Sequence, residues 1–255
     1  MPTVPKLKLY TDSTPNGIKI SMALEELGLS YEVEHIDIST NRQKEPWFLD
    51  INPNGRIPAI VDTSDDGEQI RIFEGGSILQ YLTVRYDPEY KLSFPRASKE
   101  YWECNNFLFF QHGGIGPMQG QAAHFSRYAP TKIQYGIDRY TTETKRLYKV
   151  LDTQLAKSTS GFLVGDHISI ADVANLSWVI FGPYVDVDLA KFPHLQKWEV
   201  MMSERPGICR GFHVPYPLRI KDKNQDATAM KDYQNRNTDW IMRQMKADQE
   251  AFSKG

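Results

Sequence analysis

The chain has 255 residues, of which 24% are charged and 40% hydrophobic, and its formal net charge at pH 7 is -2. This length and composition predict one or two globular domains and exclude a largely disordered chain. The small net charge gives no general attraction to nucleic acid or to anionic lipid, so we expect neither as a partner.

Thiol and metal chemistry have few candidate residues in the chain. Cys104 and Cys209 are too few for a disulfide framework and too far apart for a CxxC redox pair. The histidines show no HExxH or other paired spacing, so we expect no metal. The first residues lack the apolar run of a signal peptide, and no stretch approaches the roughly 18 apolar residues of a membrane span. We expect a cytoplasmic protein that borrows any reactive thiol from another molecule.

The first half of the chain alternates strand and helix patterns. "KLKLY" (6–10) predicts a strand, the run from Pro15 to a stop at Gly28 predicts an amphipathic helix, and "SYEVEHIDI" (30–38) predicts a parallel strand. A short helical piece and an Asn-Pro-Asn-Gly turn follow within 45–62, then a strand after Ile57-Pro58. "QIRIF" (69–73) and "EGGSILQYLTVRYD" (74–87) predict a fourth strand and a helix. The order βαβ, then ββα, predicts a small α/β domain.

After Tyr90 the strand patterning disappears. "KEYWECNNFLFFQH" (99–112) predicts a helix stopped by the Gly-Gly-Ile-Gly-Pro run, and helices are expected over 137–156, 168–181 and 193–203. Ser169 and Asp172 form a predicted capping box, which accounts for both residues without catalysis. The second domain is therefore expected to be all-helical, with a polar, partly helical tail over 218–255.

Three short segments combine backbone geometry with polar groups. Thr14 is the expected N-cap of a helix that begins at Pro15, and Asn16 in its first turn could direct an amide at an anion. Ile57 precedes Pro58, a candidate for a cis peptide bond, and could pair its backbone with an extended peptide. Glu74 opens a glycine-rich helix start. Each segment alone is explained at least as well as an ordinary turn or helix start.

The fixed order of these segments is more specific than any one of them. "TPNG", "NPNGRIPAI", "FEGGSILQYL" and "FLVGDHISIAD" together resemble the glutathione transferases over about residues 7 to 206. "FFQHGGIGPMQGQAAHF" and "DRYTTETKRLYKVLD" are similar to one subgroup, the fungal nitrogen-regulator-like transferases and the bacterial nu-class disulfide reductases.

The resemblance implies a thioredoxin-like glutathione-binding domain over 5–88, an all-helical domain over 95–217 that supplies the electrophile site, and a homodimer. Asn16 would face the glutathione sulfur, with Thr14 a second candidate. The remaining glutathione contacts it implies are Gln43 at the glycyl end, Ile57 and Pro58 at the cysteinyl backbone, and Glu74 and Gly75 at the γ-glutamyl end. Expected around the electrophile are Phe110, Gln111, Met118, Gln121, His124, Phe125 and Arg139, although helix packing explains any single one as well.

Gly75 departs from the family pattern. The family usually has Ser after this Glu, and the serine hydroxyl binds the γ-glutamyl carboxylate. A lost hydrogen bond to a charged group costs about 1.5–3 kcal/mol. The sequence leaves open whether another group compensates.

The expected activity is attack of a glutathione thiolate on a small hydrophobic electrophile. Two alternatives use the same site: reduction of a disulfide, and cis/trans isomerisation of a conjugated double bond in a natural-product pathway. A non-catalytic regulatory or binding protein on the same scaffold is the alternative from another class.

Overall fold

The computed structural model describes residues 6–64, 66–218, 238–247, 249–250 and 253. Its N-terminal part contains a four-stranded mixed sheet with strand order β2-β1-β3-β4. The strands are β1 (Leu7–Thr11), β2 (Tyr31–His35), β3 (Ala59–Thr63) and β4 (Gln69–Phe73). β1 pairs parallel to β2, with Leu7 opposite Tyr31, and antiparallel to β3, while β4 continues the antiparallel side. This is the predicted thioredoxin-like arrangement.

Three helices accompany the sheet: α1 (Pro15–Leu27), α2 (Pro46–Ile51) and α3 (Gly75–Tyr86). Both ends of α1 are as predicted. Thr14 Oγ1 accepts a hydrogen bond from the Gly17 N–H at 3.1 Å, and Gly28 closes the helix in the left-handed conformation with φ 68°. The middle of α1, from Gly17 to Leu24, is buried, because other elements pack on it from both sides. α1 is therefore the central helix of the molecule.

The C-terminal part is all-helical. Its helices are α4 (Lys99–Phe110), α5 (Gly116–Ala123), α6 (Gln134–Lys157), α7 (Ile170–Val179), α8 (Pro193–Ser203) and α9 (Pro206–Gly211). α9 lies so close to α1 that a Cβ on Gly211 would be 2.5 Å from the Met22 Cα. One continuous hydrophobic core contains buried residues from the sheet, from α1 and from the helical part. The first turn of α1 consequently lies at the seam between the two parts.

The glycine run after α4 does not stop the helix, so that prediction is wrong. Right-handed helical backbone continues through a π-helical turn (Gln111–Ile115) directly into α5. The physical reason is Pro117, which has no N–H and whose ring would clash with the carbonyl four residues earlier in a regular helix. A π turn widens the backbone there, and the Gly116 N–H bonds the Gln111 carbonyl instead.

The predicted capping box at the start of α7 is confirmed. The Ser169 N–H and hydroxyl both donate to Asp172 Oδ2, at 3.0 and 2.9 Å. Asp172 also accepts the Trp198 indole N–H and the Leu163 N–H. It is buried, and burial raises the pKa of its carboxyl. Asp172 thus organises the helical part and does not face the seam.

The tail is helical over 238–247, and its other predicted features from 219 to 237 lie outside the described residues. The Trp240 indole N–H donates to Asn41 Oδ1 at 2.8 Å. The Thr238 hydroxyl donates to the Arg127 carbonyl at 3.5 Å. This helix therefore contacts both the N-terminal and the helical part.

Candidate functional site

The first turn of α1 offers one backbone donor. Pro15 has no N–H, the Gly17 N–H is capped by Thr14, and the Ile18 N–H bonds the Thr14 carbonyl at 3.0 Å. Within the described residues, the Asn16 N–H has no hydrogen-bond acceptor. The anion-binding capacity of this helix start is consequently concentrated on Asn16.

The Asn16 side chain is held by two donors. Its Oδ1 accepts the Trp178 indole N–H at 3.1 Å and a hydrogen of the Lys19 ammonium at 3.4 Å. Indole and ammonium groups can only donate, so chemistry fixes the amide with its oxygen toward them. Nδ2 and its two hydrogens must point away from both partners. The backbone N–H and the side-chain Nδ2 of Asn16 are thus both available as donors at this helix start.

Trp178 lies on α7 in the helical part, and the sequence analysis missed it. Its half-buried indole fills the space beside two glycines of "GPMQG": a Cβ on Gly116 or Gly120 would lie 3.5 or 3.6 Å from ring atoms. Two glycines four apart on α5 create a flat helix face, which is the signal that predicts a large facing ring. Trp178 therefore connects the helical part to Asn16.

Lys19 is fully buried and also escaped the sequence analysis. Besides Asn16, its ammonium donates to Gln111 Oε1 at 2.6 Å and lies 3.3 Å from His112 Nε2. His112 Nδ1 lies 2.9 Å from the Leu108 carbonyl, which can only accept, so the hydrogen is on Nδ1 and Nε2 accepts from Lys19. Burial lowers the pKa of Lys19 to about 7, with Glu74 acting in the opposite direction. The ammonium thus has three neutral acceptors.

Gly75 and Gly76 make room for this cluster. A Cβ on Gly75 would lie 3.3 Å from Lys19 Cδ and 3.4 Å from His112 Nε2, and one on Gly76 would lie 3.2 Å from His112 Cε1. Burial, together with the nearby Lys19 charge, lowers the pKa of His112 to about 4. The space that a serine side chain would use at position 75 is bordered here by an imidazole and an ammonium.

The start of α3 lies next to the cis bond. Ile57-Pro58 is cis, as predicted, and Asn52 Nδ2 orders the preceding turn through a 2.7 Å bond to the Arg56 carbonyl. Glu74 is exposed and has φ 68°, an uncommon value for a residue with a side chain. No side chain caps α3 among the described residues. This end of the helix therefore presents free amides beside a carboxylate.

Gln43 is buried, and its Nε2 donates to the Ile38 carbonyl at 3.1 Å. Its Oε1 is buried with no partner in the described part of the chain. The predicted contact of Gln43 with a glycyl end stays a prediction.

The predicted electrophile residues fall into two groups. Gln111 is buried and its Oε1 binds Lys19, a contact that the sequence analysis did not anticipate. Phe125 stacks on Tyr140 with ring centroids 5.5 Å apart. The others lie on α4, on α5, on the π-helical turn that follows α5 (His124–Tyr128) and at the start of α6. Phe110, Met118 and His124 are half-buried, and Gln121 and Arg139 are exposed. Contact of any of them with a ligand stays a prediction.

Two further observations concern metal ligands and membrane-spanning helices. Among the described residues, no three His, Cys, Asp or Glu side chains are grouped to hold a metal. Nor does any described helix combine the length and apolar character that crossing a bilayer requires.

Two family models match the chain: the N-terminal domain of glutathione S-transferase over residues 5–83 and the C-terminal domain over residues 123–206. The disulfide-bond oxidoreductase YfcG of Escherichia coli is 42% identical over 202 residues, which are 78% of this chain and 91% of that protein.

Solved structures similar to this chain also belong to glutathione transferases. A glutathione transferase homolog from Lodderomyces elongisporus, with two GSH per subunit, is 44% identical with a TM-score of 0.79, covering 83% of this chain and 100% of that one. The glutathione transferase URE2P6 from Phanerochaete chrysosporium, in complex with oxidized glutathione, is 37% identical with a TM-score of 0.76, covering 82% and 95%. The chain therefore belongs to the glutathione S-transferase family, in the subgroup of the Ure2-like and YfcG-like proteins.

Proposed function

We propose that this protein is a glutathione-dependent enzyme that holds the glutathione thiol as a thiolate beside Asn16. The observation that carries the proposal is the fixed Asn16 amide, whose oxygen is taken by Trp178 and Lys19. Its Nδ2 and backbone N–H then remain as donors at a helix start. Hydrogen bonds to the charged form of a thiol lower its pKa, and the thiolate is the reactive nucleophile.

The other parts of glutathione would each bind a different segment of the site. In the proposal, Ile57 beside the cis Pro58 pairs with the cysteinyl backbone, and Glu74 with the free amides of α3 receives the γ-glutamyl end. Gln43 is proposed for the glycyl end, where its amide would have to leave Ile38. Thr14 acts mainly through its cap on Gly17, and its hydroxyl hydrogen stays a second donor. Support comes from the relatives crystallised with glutathione or its oxidised form.

Conjugation is the first candidate reaction. The thiolate attacks an electrophilic carbon, a carbon–sulfur bond forms, and the leaving group departs with its electron pair. Phe110, Met118, His124 and Phe125 would form the wall of a site for a small hydrophobic electrophile, with Gln121 and Arg139 at its exposed edge. This part of the proposal rests on their position along α4, α5, the π-helical turn His124–Tyr128 and α6.

Disulfide reduction is a second candidate, and the named relatives favour it. The thiolate would attack one sulfur of a disulfide, releasing the other as thiolate, and a second glutathione would release the first product and form oxidised glutathione. Cys104 is buried, and burial raises its thiol pKa to about 11, so in this proposal glutathione and not Cys104 supplies the thiols. Isomerisation of a conjugated double bond and a binding-only role are alternatives on the same site.

We further propose a homodimer and the domain boundaries 5–88 and 95–217. Val84 on α3 and Trp102 and Phe109 on α4 are about two-thirds exposed, and large apolar groups on neighbouring helices are typical of protein interfaces. Sedimentation of the wild type against Trp102→Glu/Phe109→Glu would test this face: a dimer that dissociates supports it, and unchanged sedimentation overturns it.

The proposed function is tested by turnover. The wild type, Asn16→Ala and the remote control Lys91→Met are assayed with glutathione and, in turn, an activated aryl halide, a small dialkyl disulfide and a conjugated cis-alkene. Mass spectrometry distinguishes a conjugate from oxidised glutathione, and chromatography with ultraviolet detection resolves a trans isomer of unchanged mass formed beside unaltered glutathione. Turnover by the wild type and the control, lost in Asn16→Ala, supports the proposal. Glutathione binding without turnover of any of these probes would favour the binding-only protein.

A further inference from the structure

Lys19 is a buried cation without an anionic partner. No carboxylate among the described residues lies within salt-bridge distance of its ammonium, and its three contacts are to neutral acceptors. Glu74 acts on it only at longer range. A buried charge is costly unless an opposite charge compensates it, and a methionine would fill similar space without that cost. A functional role for the ammonium would explain why a lysine occupies this position.

The surroundings of Lys19 are arranged to keep the ammonium in one place. Gln111 and His112 follow each other on the π turn, and both accept from Lys19, at 2.6 and 3.3 Å. The Leu108 carbonyl fixes the His112 tautomer that leaves Nε2 free to accept. Gly75 and Gly76 leave the space in which the ring and the ammonium lie. Elements from both parts of the molecule thus converge on this one charge.

We propose that Lys19 is a positioning residue that stabilises the bound thiolate through Asn16. Its ammonium donates to the same Oδ1 that accepts from Trp178, which orients and polarises the Asn16 amide toward the sulfur. It also supplies the positive charge nearest that amide, while Gln111 and His112 hold it. This inference rests on the proposed function, because it assigns a further residue to the same thiolate.

The ionisation of the bound thiol and the protonation of Lys19 should depend on each other. A thiolate near the ammonium favours the charged form of Lys19, and the charged form of Lys19 favours the thiolate. The groups that face Lys19 are Asn16 on α1, Gln111 and His112 on the π turn, and Glu74 at the start of α3. Only Glu74 and His112 can titrate among them. In the free protein, burial lowers the Lys19 pKa to about 7, so Lys19 is only partly charged at neutral pH, and a thiolate bound nearby would increase the charged share.

The test measures the ultraviolet thiolate absorbance of bound glutathione across pH in four proteins: the wild type, Lys19→Met, Gln111→Glu and the exposed control Lys91→Met. Gln111→Glu is nearly isosteric and places a carboxylate against the ammonium, so it offsets the charge without removing Lys19. We expect the thiol pKa to rise by roughly one unit or more in both site variants and to stay at the wild-type value in the control. A thiol pKa unchanged in Lys19→Met or in Gln111→Glu would overturn the inference.

Binding of S-methylglutathione separates a loss of charge stabilisation from a loss of fold. This probe has no thiol to ionise, so both site variants should bind it as the wild type does while binding glutathione more weakly above neutral pH. Equal loss of both ligands would show a structural role and overturn the inference. A wild type that leaves the thiol at its free pKa would instead overturn the proposed function itself.

Discussion

The Trp178 indole nitrogen lies 3.1 Å from the Asn16 side-chain oxygen, and this bond joins the helical part to the first turn of α1. The two residues are 162 positions apart in the chain. Because the indole can only donate, this bond directs the Asn16 amide oxygen toward Trp178 and leaves Nδ2 on the opposite side of the amide. The orientation of the candidate thiolate donor therefore depends on a residue from the other part of the molecule.

Trp178→Phe should weaken the site without unfolding it. Phenylalanine keeps a ring against Gly116 and Gly120 but removes the donor, and a hydrogen bond of this kind contributes about 0.5–1.5 kcal/mol. We expect the second-order rate constant with glutathione to fall by roughly 2- to 12-fold, with the unfolding midpoint little changed. Trp102→Phe on α4 is the matched control, because it makes the same change outside the Asn16 cluster and keeps a ring at the proposed dimer face. An equal fall in the control, or no fall in Trp178→Phe, would contradict this reading.

Gly17 is required by close packing. A Cβ there would lie 2.0 Å from the Asp12 carbonyl oxygen, and backbone atoms cannot move aside easily. Gly17→Ala should lower the free energy of unfolding by about 3 kcal/mol or more. Gly113→Ala is the control, since a Cβ there meets no atom within 4 Å. Urea unfolding that gives both variants the same stability would refute the steric explanation.

Gly75→Ser should not tighten glutathione binding on its own. The added side chain meets Lys19 and His112, which border that space. In a His112→Ala background the space opens, and the hydroxyl should then tighten binding roughly tenfold or more, the size of a hydrogen bond to a carboxylate. Calorimetric titration of wild type, both single variants and the double variant measures this coupling. If serine tightens binding equally in both backgrounds, His112 does not control the position.

His112 should make the protein acid-sensitive. Its pKa is lowered to about 4 in the folded state by burial and by Lys19, whereas an unfolded histidine titrates near 6.5. Between these values the unfolded state binds the proton and the folded state does not, so stability is lost as the pH falls from about 6.5 to 4. The loss should be of the order of a few kcal/mol at most.

Urea unfolding at several pH values compares the wild type with His112→Leu and with the exposed control His213→Leu. The wild type and the control should lose stability in that pH window, and His112→Leu should lose less. Parallel curves for all three proteins would show that His112 does not contribute.

Local signals predicted much of this fold because they act over a few residues. The Thr14 cap, the Gly28 stop, the cis bond before Pro58 and the Ser169–Asp172 box all follow from neighbouring residues, and all are present. The predicted stop after His112 is wrong because glycines and Pro117 individually disfavour a helix, while a π turn accommodates them together.

Local signals of this kind could not identify Lys19 and Trp178 as site residues. Lys19 lies within the predicted helix that ends at Gly28, and Trp178 lies within the predicted helix over 168–181, and no local pattern distinguishes either residue from its neighbours. Their contacts with Asn16 and with Gln111 depend on how α1, α5 and α7 meet. A residue whose role comes from a partner distant in the chain leaves no local pattern.

The central claim is that Asn16 stabilises a glutathione thiolate. Its most direct test is the ultraviolet thiolate absorbance of glutathione titrated across pH with the wild type and with Asn16→Ala. The account predicts that thiol bound to the wild type ionises well below its free pKa and that Asn16→Ala returns the pKa toward the free value. Ionisation at the free pKa in the wild type, or an unchanged low pKa in Asn16→Ala, would contradict it.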